Sequence, residues 1–270
     1  MSHVGHMNEE RIKQAKEILA KDDRVVPKFW QEKYRREAPR NWDLFYKRNT
    51  TNFFRDRHWT EREFEELARE NCSNEKELKL LEVGCGVGNF IWPLLEAHPR
   101  LKIYACDFSP RAINFVRENE KYDERRCHAF VCDITSDQLV DTIEPQSIDL
   151  VSMIFVLSAL PPEKMRDAVL NVCKVLRPGG KVMFRDYGQY DAAQLRFKPG
   201  HKLEDSLYVR QDGTMAYYFT VEYLRELFVG HAGLVELENE YVYRTVTNAK
   251  RNLSFDRVFV QARFQRPTQD

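Results

Sequence analysis

A glycine-rich turn holds the residues of this chain with the clearest chemical potential. Glu82 ends a short apolar run, and Gly84, Gly86 and Gly88 follow at alternate positions. Glycines let the backbone approach a ligand that a Cβ would keep away, and a helix beginning after the turn offers free N–H groups. The spacing is GxGxG, whereas the dinucleotide turn that holds a pyrophosphate is GxGxxG. An acid before the first glycine suits a ligand that carries an ammonium group and no phosphate, which favours S-adenosylmethionine.

Two further acids follow apolar runs at distances that support this interpretation. Asp107 ends the run 103–107, and Asp133 ends the run 129–133. Ligands of open α/β sheets bind outside the carboxyl ends of the strands. We therefore expect Asp107 to accept hydrogen bonds from a ribose and Asp133 to accept one from an adenine amino group. Each acid alone could be a solvated strand end, and it is the set of three that favours a cofactor site.

Strand and helix signals alternate from Leu78 onward, which specifies a mostly parallel sheet with helices on both faces. The predicted strands end at residues 83, 107, 133, 156 and 185, and the predicted helices cover 89–97, a segment opened by Ser109-Pro110, and 162–176. A helix capped by Thr220 and a late strand pair at 235–246 and 257–264 complete a Rossmann-like sheet of seven strands with an antiparallel last strand. Asp212-Gly213 predicts a β-hairpin inserted at about 203–219.

The segment before the sheet mixes basic and aromatic side chains. Its members are Arg35, Arg36, Arg40, Lys47, Arg48, Arg55 and Arg57 with Trp42, Phe45, Tyr46, Phe53, Phe54 and Trp59. Such a mixture suits an unpaired nucleic-acid loop, because bases stack on aromatic rings and phosphates attract cations. The spacing of Trp42, Phe45, Tyr46 and Asn49 equally predicts a helix packed on the core, and both interpretations remain open. The run 60–63, Thr-Glu-Arg-Glu, predicts a capping box for a following helix.

Composition limits the class of protein. The chain has 42 basic and 42 acidic side chains among 270 residues, so bulk electrostatics would not hold nucleic acid without local charge or a partner. Its six cysteines show no CxxC pairing and are expected to be reduced core thiols, with no metal site. No apolar run reaches the ~18 residues of a membrane span and no signal peptide is visible. We expect a soluble intracellular protein, with residues 1–25 flexible and 1–7 resembling an added leader.

Several longer stretches resemble the tRNA N3-methylcytidine methyltransferases of the eukaryotic methyltransferase-like group. They are 41–49 (NWDLFYKRN), 53–59 (FFRDRHW), 154–159 (IFVLSA), 184–191 (FRDYGQYD), 195–198 (LRFK) and 208–214 (YVRQDGT). The resemblance runs from Val26 to Pro267. It implies a class I S-adenosylmethionine-dependent enzyme without a metal that methylates N3 of cytidine 32 in the tRNA anticodon loop. A lid and tRNA-binding segment would cover 26–77 and the methyltransferase domain 78–267.

The resemblance also indicates a branch of the family. Threonine-tRNA relatives carry a long insertion where only a short stretch separates Trp59 from Leu78 here. This favours the serine-tRNA branch, which acts with help from seryl-tRNA synthetase. The absence of targeting signals leads us to expect a cytoplasmic protein that could also enter the nucleus. Activity on threonine tRNA, on a protein or on a small molecule stays an alternative. So does a non-enzymatic protein that binds the cofactor and escorts tRNA or the synthetase.

Cofactor roles follow from the resemblance position by position, and substrate and catalytic roles are hypotheses from residue type and place in the chain. Cofactor contacts are expected at Trp42, Tyr46, Glu82, Gly84, Gly86, Gly88, Asp107, Asp133, Ile134 and Ile154, with S-adenosylhomocysteine as the product. Substrate contacts are expected at Phe53, Arg57, Arg185, Arg196, Lys198 and Arg210. Asp186, with Tyr187 beside it, is the candidate catalytic carboxylate, because it ends the fifth predicted strand and could stabilise positive charge on the methylated base. Its alternative role is a strand-end acid paired with Arg185 or Arg196.

Overall fold

The structure is a computed structural model that describes residues 3–4, 8–51, 53–68, 77–248 and 253–268. The strands are β1 (His3–Val4), β2 (Leu78–Val83), β3 (Leu101–Asp107), β4 (Cys127–Val131), β5 (Ile148–Ile154), β6 (Leu176–Tyr187), β7 (Lys202–Glu204), β8 (Leu207–Val209), β9 (Met215–Tyr217), β10 (Val235–Asn248) and β11 (Leu253–Gln265). The helices are α1 (Glu9–Ala20), α2 (Lys28–Arg36), α3 (Ala38–Asn49), α4 (Thr60–Glu63), α5 (Ile91–Ala97), α6 (Pro110–Arg117), α7 (Pro162–Val175) and α8 (Val221–Arg225), which a π-helical turn, Glu226–His231, extends.

The main sheet confirms the predicted α/β architecture. Its strand order is β1-β10-β11-β6-β5-β2-β3-β4, in which β6, β5, β2, β3 and β4 run parallel. β11 is antiparallel to both β6 and β10. Every residue of the central strand β5 is buried, as expected for a strand covered on both faces. The short strand β1 pairs with β10 as an eighth strand, whereas the sequence predicted seven.

Two apolar cores lie on opposite faces of this sheet. Leu80 packs with residues of α5 and α6, whereas its neighbour Leu81 packs with residues of α7 and α8. Successive strand side chains point to opposite faces, so one strand contributes to both cores. The two cores fix the carboxyl ends of β2, β3 and β5 along one edge of the sheet.

Local helix signals are confirmed at two sites and wrong at a third. The Ser109 side chain accepts from the Ala112 N–H at 3.2 Å and begins α6, and Thr220 accepts from the Tyr223 N–H at 3.1 Å and begins α8. The capping box at Thr60 is absent. The Thr60 hydroxyl donates instead to a backbone carbonyl, and Glu63 pairs with a buried arginine of β6, so α4 stops after four residues.

The N-terminal region contains a helix that the sequence did not predict. Residues Glu9–Ala20 form α1, which Asn8 caps and which an ion pair of 2.6 Å between Arg11 and Asp256 ties to β11. The segment 1–25 therefore contains a helix that contacts the sheet, and its flexibility stays a prediction. After α1, the Val26 N–H donates a hydrogen bond to the carbonyl of Lys202, the first residue of β7.

The inserted hairpin is confirmed and carries one strand more than predicted. β8 and β9 pair antiparallel across a turn in which Gly213 has a φ of +84°. β7 pairs with β8 to complete a separate sheet of three strands. The five described cysteines, 85, 106, 127, 132 and 173, form no disulfide, and Cys72 lies outside the described residues. In the described part of the chain, no helix has the length and apolarity needed to cross a membrane.

Candidate active site

The glycine turn between β2 and α5 has a backbone that only glycine adopts readily. Gly84, Gly86 and Gly88 all have positive φ, of +62°, +55° and +90°. A Cβ on Gly84 would lie 2.7 Å from a methyl carbon of Val156, and a Cβ on Gly86 would lie 3.0 Å from the Tyr46 hydroxyl. The turn is therefore a cradle closed to side chains and open to a ligand.

Asp107 is held beside this cradle at the end of β3. One carboxylate oxygen accepts from the Gly86 N–H at 3.0 Å, and the other accepts from the Ser109 N–H at 2.9 Å. Burial raises the pKa of this carboxyl group to about 6, although the two N–H donors oppose the shift. Each oxygen retains a second lone pair, so the fixed carboxylate can still accept from ligand hydroxyl groups.

Glu82 lies under the turn, buried, with its Oε2 atom lacking a hydrogen-bond partner among the described residues. Burial raises the pKa of its carboxyl group to about 8, and the positive charge of Arg57 opposes the shift. Arg57 itself donates to the Ile154 carbonyl at 3.1 Å, and burial lowers the pKa of its guanidinium. A buried, incompletely bonded acid beside the cradle suits a ligand with a cationic group.

A cavity of about 310 Å³ opens above the cradle at the carboxyl edge of the sheet. On one side it is lined by Gly84, Gly86 and Asp107, together with Trp42 and Tyr46 from α3. The indole N–H of Trp42 is buried and lacks a partner within the described ranges. The glycine cradle, the fixed carboxylate and this free donor fit the amino-acid and ribose groups of S-adenosylmethionine.

The opposite wall of the cavity is aromatic and cationic. The Phe155 ring centre lies 5.2 Å from that of Tyr187 and 5.7 Å from that of Phe259. The guanidinium carbon of Arg57 lies 5.7 Å from the Phe155 ring, and that of Arg210 lies 5.6 Å from the Tyr187 ring. Flat rings flanked by cations can hold a nucleobase and its phosphate.

Eight of the residues predicted for the site line this cavity: Trp42, Tyr46, Arg57, Gly84, Gly86, Asp107, Tyr187 and Arg210. Ten others lie outside its lining: Phe53, Glu82, Gly88, Asp133, Ile134, Ile154, Arg185, Asp186, Arg196 and Lys198.

Asp133, which was predicted to hold adenine, forms hydrogen bonds within its own segment, and its neighbour Ile134, a predicted cofactor contact, is buried. The Asp133 carboxylate accepts from the Thr135 N–H at 3.0 Å and from its hydroxyl at 2.7 Å, and Ile134 belongs to the apolar core. Their contact with the cofactor stays a prediction. Gly88 has a packing role, because a Cβ there would lie 2.6 Å from the indole nitrogen of Trp92.

Asp186 does not face the cavity. Its side chain is fully buried, and its oxygens accept from the Ser158 N–H at 3.0 Å and from the Tyr187 N–H at 2.9 Å. Burial raises the pKa of its carboxyl group to about 6. Each oxygen is therefore bonded to backbone that supports the cavity wall. The contact of Asp186 with the base stays a prediction, and the described residues show no pairing of Asp186 with Arg185 or Arg196.

Arg185 is buried among protein side chains, whereas a tRNA contact is expected at the surface. It is 4% exposed, donates to Glu63 at 3.0 Å and to Gln261 at 2.9 Å, and lies 4.6 Å from the Trp59 ring. Little of its surface remains for RNA in this structure, and its contact with the substrate stays a prediction.

The other predicted substrate residues lie at the surface. Phe53 is 58% exposed, and its ring packs against Phe45. Arg196 and Lys198 are exposed and line a groove that shares Tyr187 and Arg210 with the cavity. The groove leads from the cavity to the surface, so a bound loop could follow it.

Sequence reasoning missed part of the aromatic wall. Phe155 adopts a φ of +59° just after β5, which no pattern in the sequence indicates. Phe259 and Arg257 come from β11, where Phe259 lies opposite Tyr187 in the antiparallel register. Arg257 is held by Asp191 at 2.8 Å. Within the described ranges, no cluster of three or more His, Cys, Asp or Glu side chains could hold a metal ion.

Comparisons with known proteins agree with this geometry. A family profile described as a methyltransferase domain matches residues 81–182. A mouse relative named tRNA N(3)-cytidine methyltransferase METTL6 is 55% identical over 94% of this chain and 90% of its own length. A fission yeast relative named tRNA N(3)-methylcytidine methyltransferase trm141 is 47% identical over 86% of this chain and 94% of its own length.

A solved structure supports the fold alone. An S-adenosylmethionine-dependent methyltransferase from Anabaena variabilis superimposes with a TM-score of 0.61 at 14% identity, over 84% of this chain and 94% of the other. The relatives give no support to a protein substrate, a small-molecule substrate or a non-enzymatic escort. The chain belongs to the family of tRNA N3-cytidine methyltransferases and has the class I fold of S-adenosylmethionine-dependent enzymes.

Proposed function

We propose that this enzyme methylates N3 of cytidine 32 in the anticodon loop of serine tRNAs and works with seryl-tRNA synthetase. The observation that carries the proposal is the single cavity with two unlike walls, a glycine cradle with Asp107 on one side and Phe155 and Tyr187 on the other. N3 lies on the pairing edge of cytosine, so the base must leave any stack to react. An unpaired loop offers such a base at low cost.

For this reaction the protein must align the two reactants, and no proton transfer is needed. S-adenosylmethionine supplies an electrophilic methyl group on a sulfonium when it is bound. Cytosine N3 has an available lone pair without losing a proton, so no side chain acts as a general base. The base gains the methyl group together with its positive charge. Correct placement of the two reactants can contribute about 7–11 kcal/mol to lowering the barrier.

The residues of the aromatic wall have distinct roles in this scheme. Phe155 and Tyr187 stack on the target base, and their π faces favour the positive charge that develops on it. Arg57 and Arg210 contact the flanking phosphates. Asp186 acts as a positioning residue, because its hydrogen bonds to the Ser158 and Tyr187 N–H groups fix the backbone of the wall.

Two features of the chain support a serine tRNA and a partner. Only 18 residues, 60–77, separate Trp59 from Leu78, where the family resemblance implies a long insertion in threonine-tRNA enzymes. The net charge is zero, so phosphate contacts are restricted to local groups such as Arg196, Lys198 and Arg210. Few phosphate contacts give weak RNA binding at physiological salt. A synthetase that already holds the tRNA would supply the missing affinity.

Methyl transfer into serine and threonine tRNA transcripts, each with and without seryl-tRNA synthetase, tests this proposal. We expect serine tRNA to be the better substrate and the synthetase to raise its rate. The Tyr187→Ala variant should lose turnover while S-adenosylhomocysteine binds with the affinity of the wild type. A preference for threonine tRNA would contradict the branch, and an unchanged rate with the synthetase would contradict the partner.

A further inference from the structure

Helix α3 contacts both ends of the cavity through side chains that line neither wall. Trp42 and Tyr46 face the cofactor side, while Asn41 and Asp43, which flank Trp42 in the chain, make polar contacts to other elements. The apolar contacts of α3 fall in two small clusters, one with Val87 and one in which Ala38 packs on the hairpin strands, and both are separate from the two cores of the sheet. The two polar side chains add directional hydrogen bonds on the same two sides of the helix.

Asp43 connects α3 to the cofactor carboxylate. Its Oδ1 atom accepts from the Ser109 hydroxyl at 2.7 Å, and Ser109 is fully buried. The N–H of the same serine donates to Asp107, whose other oxygen accepts from the Gly86 N–H. Asp43 lies 3.5 Å from the Arg111 guanidinium as well. A continuous series of hydrogen bonds thus runs from the helix to the glycine cradle.

Asn41 connects the same helix to the inserted hairpin. Its amide donates to the Gly213 carbonyl at 3.0 Å, and a Cβ on Gly213 would lie 3.1 Å from that amide. The turn closes through the Arg210 N–H, which bonds the Thr214 carbonyl at 2.8 Å. The Arg210 guanidinium donates to the Met215 carbonyl at 2.8 Å and reaches the cavity. Asn41 therefore fixes the turn that presents Arg210.

We propose that Asn41 and Asp43 are positioning residues that make α3 a clasp, so that cofactor binding and tRNA binding favour the same closed position of the helix. The inference rests on the proposed function, since it assigns the hairpin side of the cavity to tRNA. A ligand on either side stabilises a helix that contacts both sides. By linkage, each ligand then raises the affinity for the other by the same factor, about fivefold or more.

The test measures S-adenosylhomocysteine affinity by calorimetry with and without saturating serine tRNA and seryl-tRNA synthetase. For the wild type we expect at least about fivefold tighter binding with the RNA present. The isosteric Asn41→Asp variant places an acceptor against the Gly213 carbonyl. It should keep the affinity measured without RNA and lose most of the increase, and Asn41→Ala should do the same.

Asn49→Ala is the matched control, because in the described part of the chain this amide on the same helix bonds only the Phe45 carbonyl one turn away. It should keep the full increase. Asp43→Ala should weaken S-adenosylhomocysteine binding even without RNA. Asp43→Asn retains the Oδ1 acceptor for Ser109 and should therefore keep most of the affinity of the wild type.

The outcomes separate the inference from the function it rests on. If the wild type methylates serine tRNA but its affinities are uncoupled, or if Asn41→Asp keeps the coupling, the clasp is wrong and the proposed function stands. An Asn49→Ala variant that loses the coupling as completely as Asn41→Ala would also overturn the clasp. A wild type that neither binds nor methylates tRNA would refute the proposed function itself.

Discussion

The buried carboxyl group of Glu82 gives a prediction for stability against pH. Burial raises its pKa from 4.5 to about 8, so the folded protein holds a proton there that the unfolded chain releases at lower pH. The folded state binds more protons between these two values. This contribution to stability is therefore complete below pH 4.5 and is lost as the pH rises toward 8.

The perturbation is Glu82→Gln, which keeps the size of the side chain and cannot ionise. Each pKa unit corresponds to about 1.4 kcal/mol, so the shift removes roughly 2 kcal/mol from the wild type between pH 5 and pH 7. The Glu82→Gln variant has no ionisable group at this position, so its free energy of unfolding does not fall by this amount. Its free energy of unfolding, measured by urea denaturation, should gain roughly 2 kcal/mol on that of the wild type over this range.

Taking the difference between two proteins cancels the other titrating groups, which both contain. Glu144→Gln, at an exposed glutamate, controls for the loss of one carboxylate from the chain. A stability difference between Glu82→Gln and the wild type that stays constant from pH 5 to pH 7 would refute the reasoning. It would mean that Glu82 is ionised in the folded protein throughout this range.

Three further predictions concern the cradle and its support. Asp107→Ala removes a carboxylate that can form charge-assisted hydrogen bonds of about 1.5–3 kcal/mol each, so calorimetry should find S-adenosylhomocysteine affinity at least about 100-fold lower. Binding with the affinity of the wild type would contradict the assignment of Asp107 to the ribose. Gly86→Ala places a Cβ 3.0 Å from the Tyr46 hydroxyl, at a backbone φ of +55° that disfavours alanine. The same calorimetric titration should show about tenfold weaker binding of S-adenosylhomocysteine. An affinity equal to that of the wild type would mean that the turn accommodates the methyl group without strain. Arg185→Ala removes a buried guanidinium that donates to Glu63 and Gln261, and should cost about 1–3 kcal/mol of unfolding free energy in a denaturant titration. Unchanged stability with lost tRNA binding would instead support the predicted substrate role of this arginine.

The sheet and the cradle were predictable because their signals are local. Alternating apolar segments specify parallel strands, and three glycines at alternate positions indicate a turn with positive φ, as Gly84 and Gly86 have. The stripe through Trp42 and Tyr46 likewise fixed which face of α3 is buried. Each of these features depends on residues within one or two elements.

The aromatic wall and the roles of the buried charges depend on contacts that no local pattern encodes. Phe259 reaches the cavity because β11 pairs antiparallel with β6 and lies opposite Tyr187. Arg185 and Asp186 are adjacent in the chain and point to opposite faces of β6, so one pairs with Glu63 and the other with backbone N–H groups. A charged residue at a strand end therefore suggests a site without revealing its partner.

Nucleoside mass spectrometry of serine tRNA after reaction with the enzyme, S-adenosylmethionine and seryl-tRNA synthetase shows directly which base the cavity methylates. We expect N3-methylcytidine in the transcript with cytidine at position 32 and none in a transcript with uridine there. Methylation that persists with uridine at position 32, or no methylated nucleoside in either transcript, would contradict the assignment of the cavity to this base.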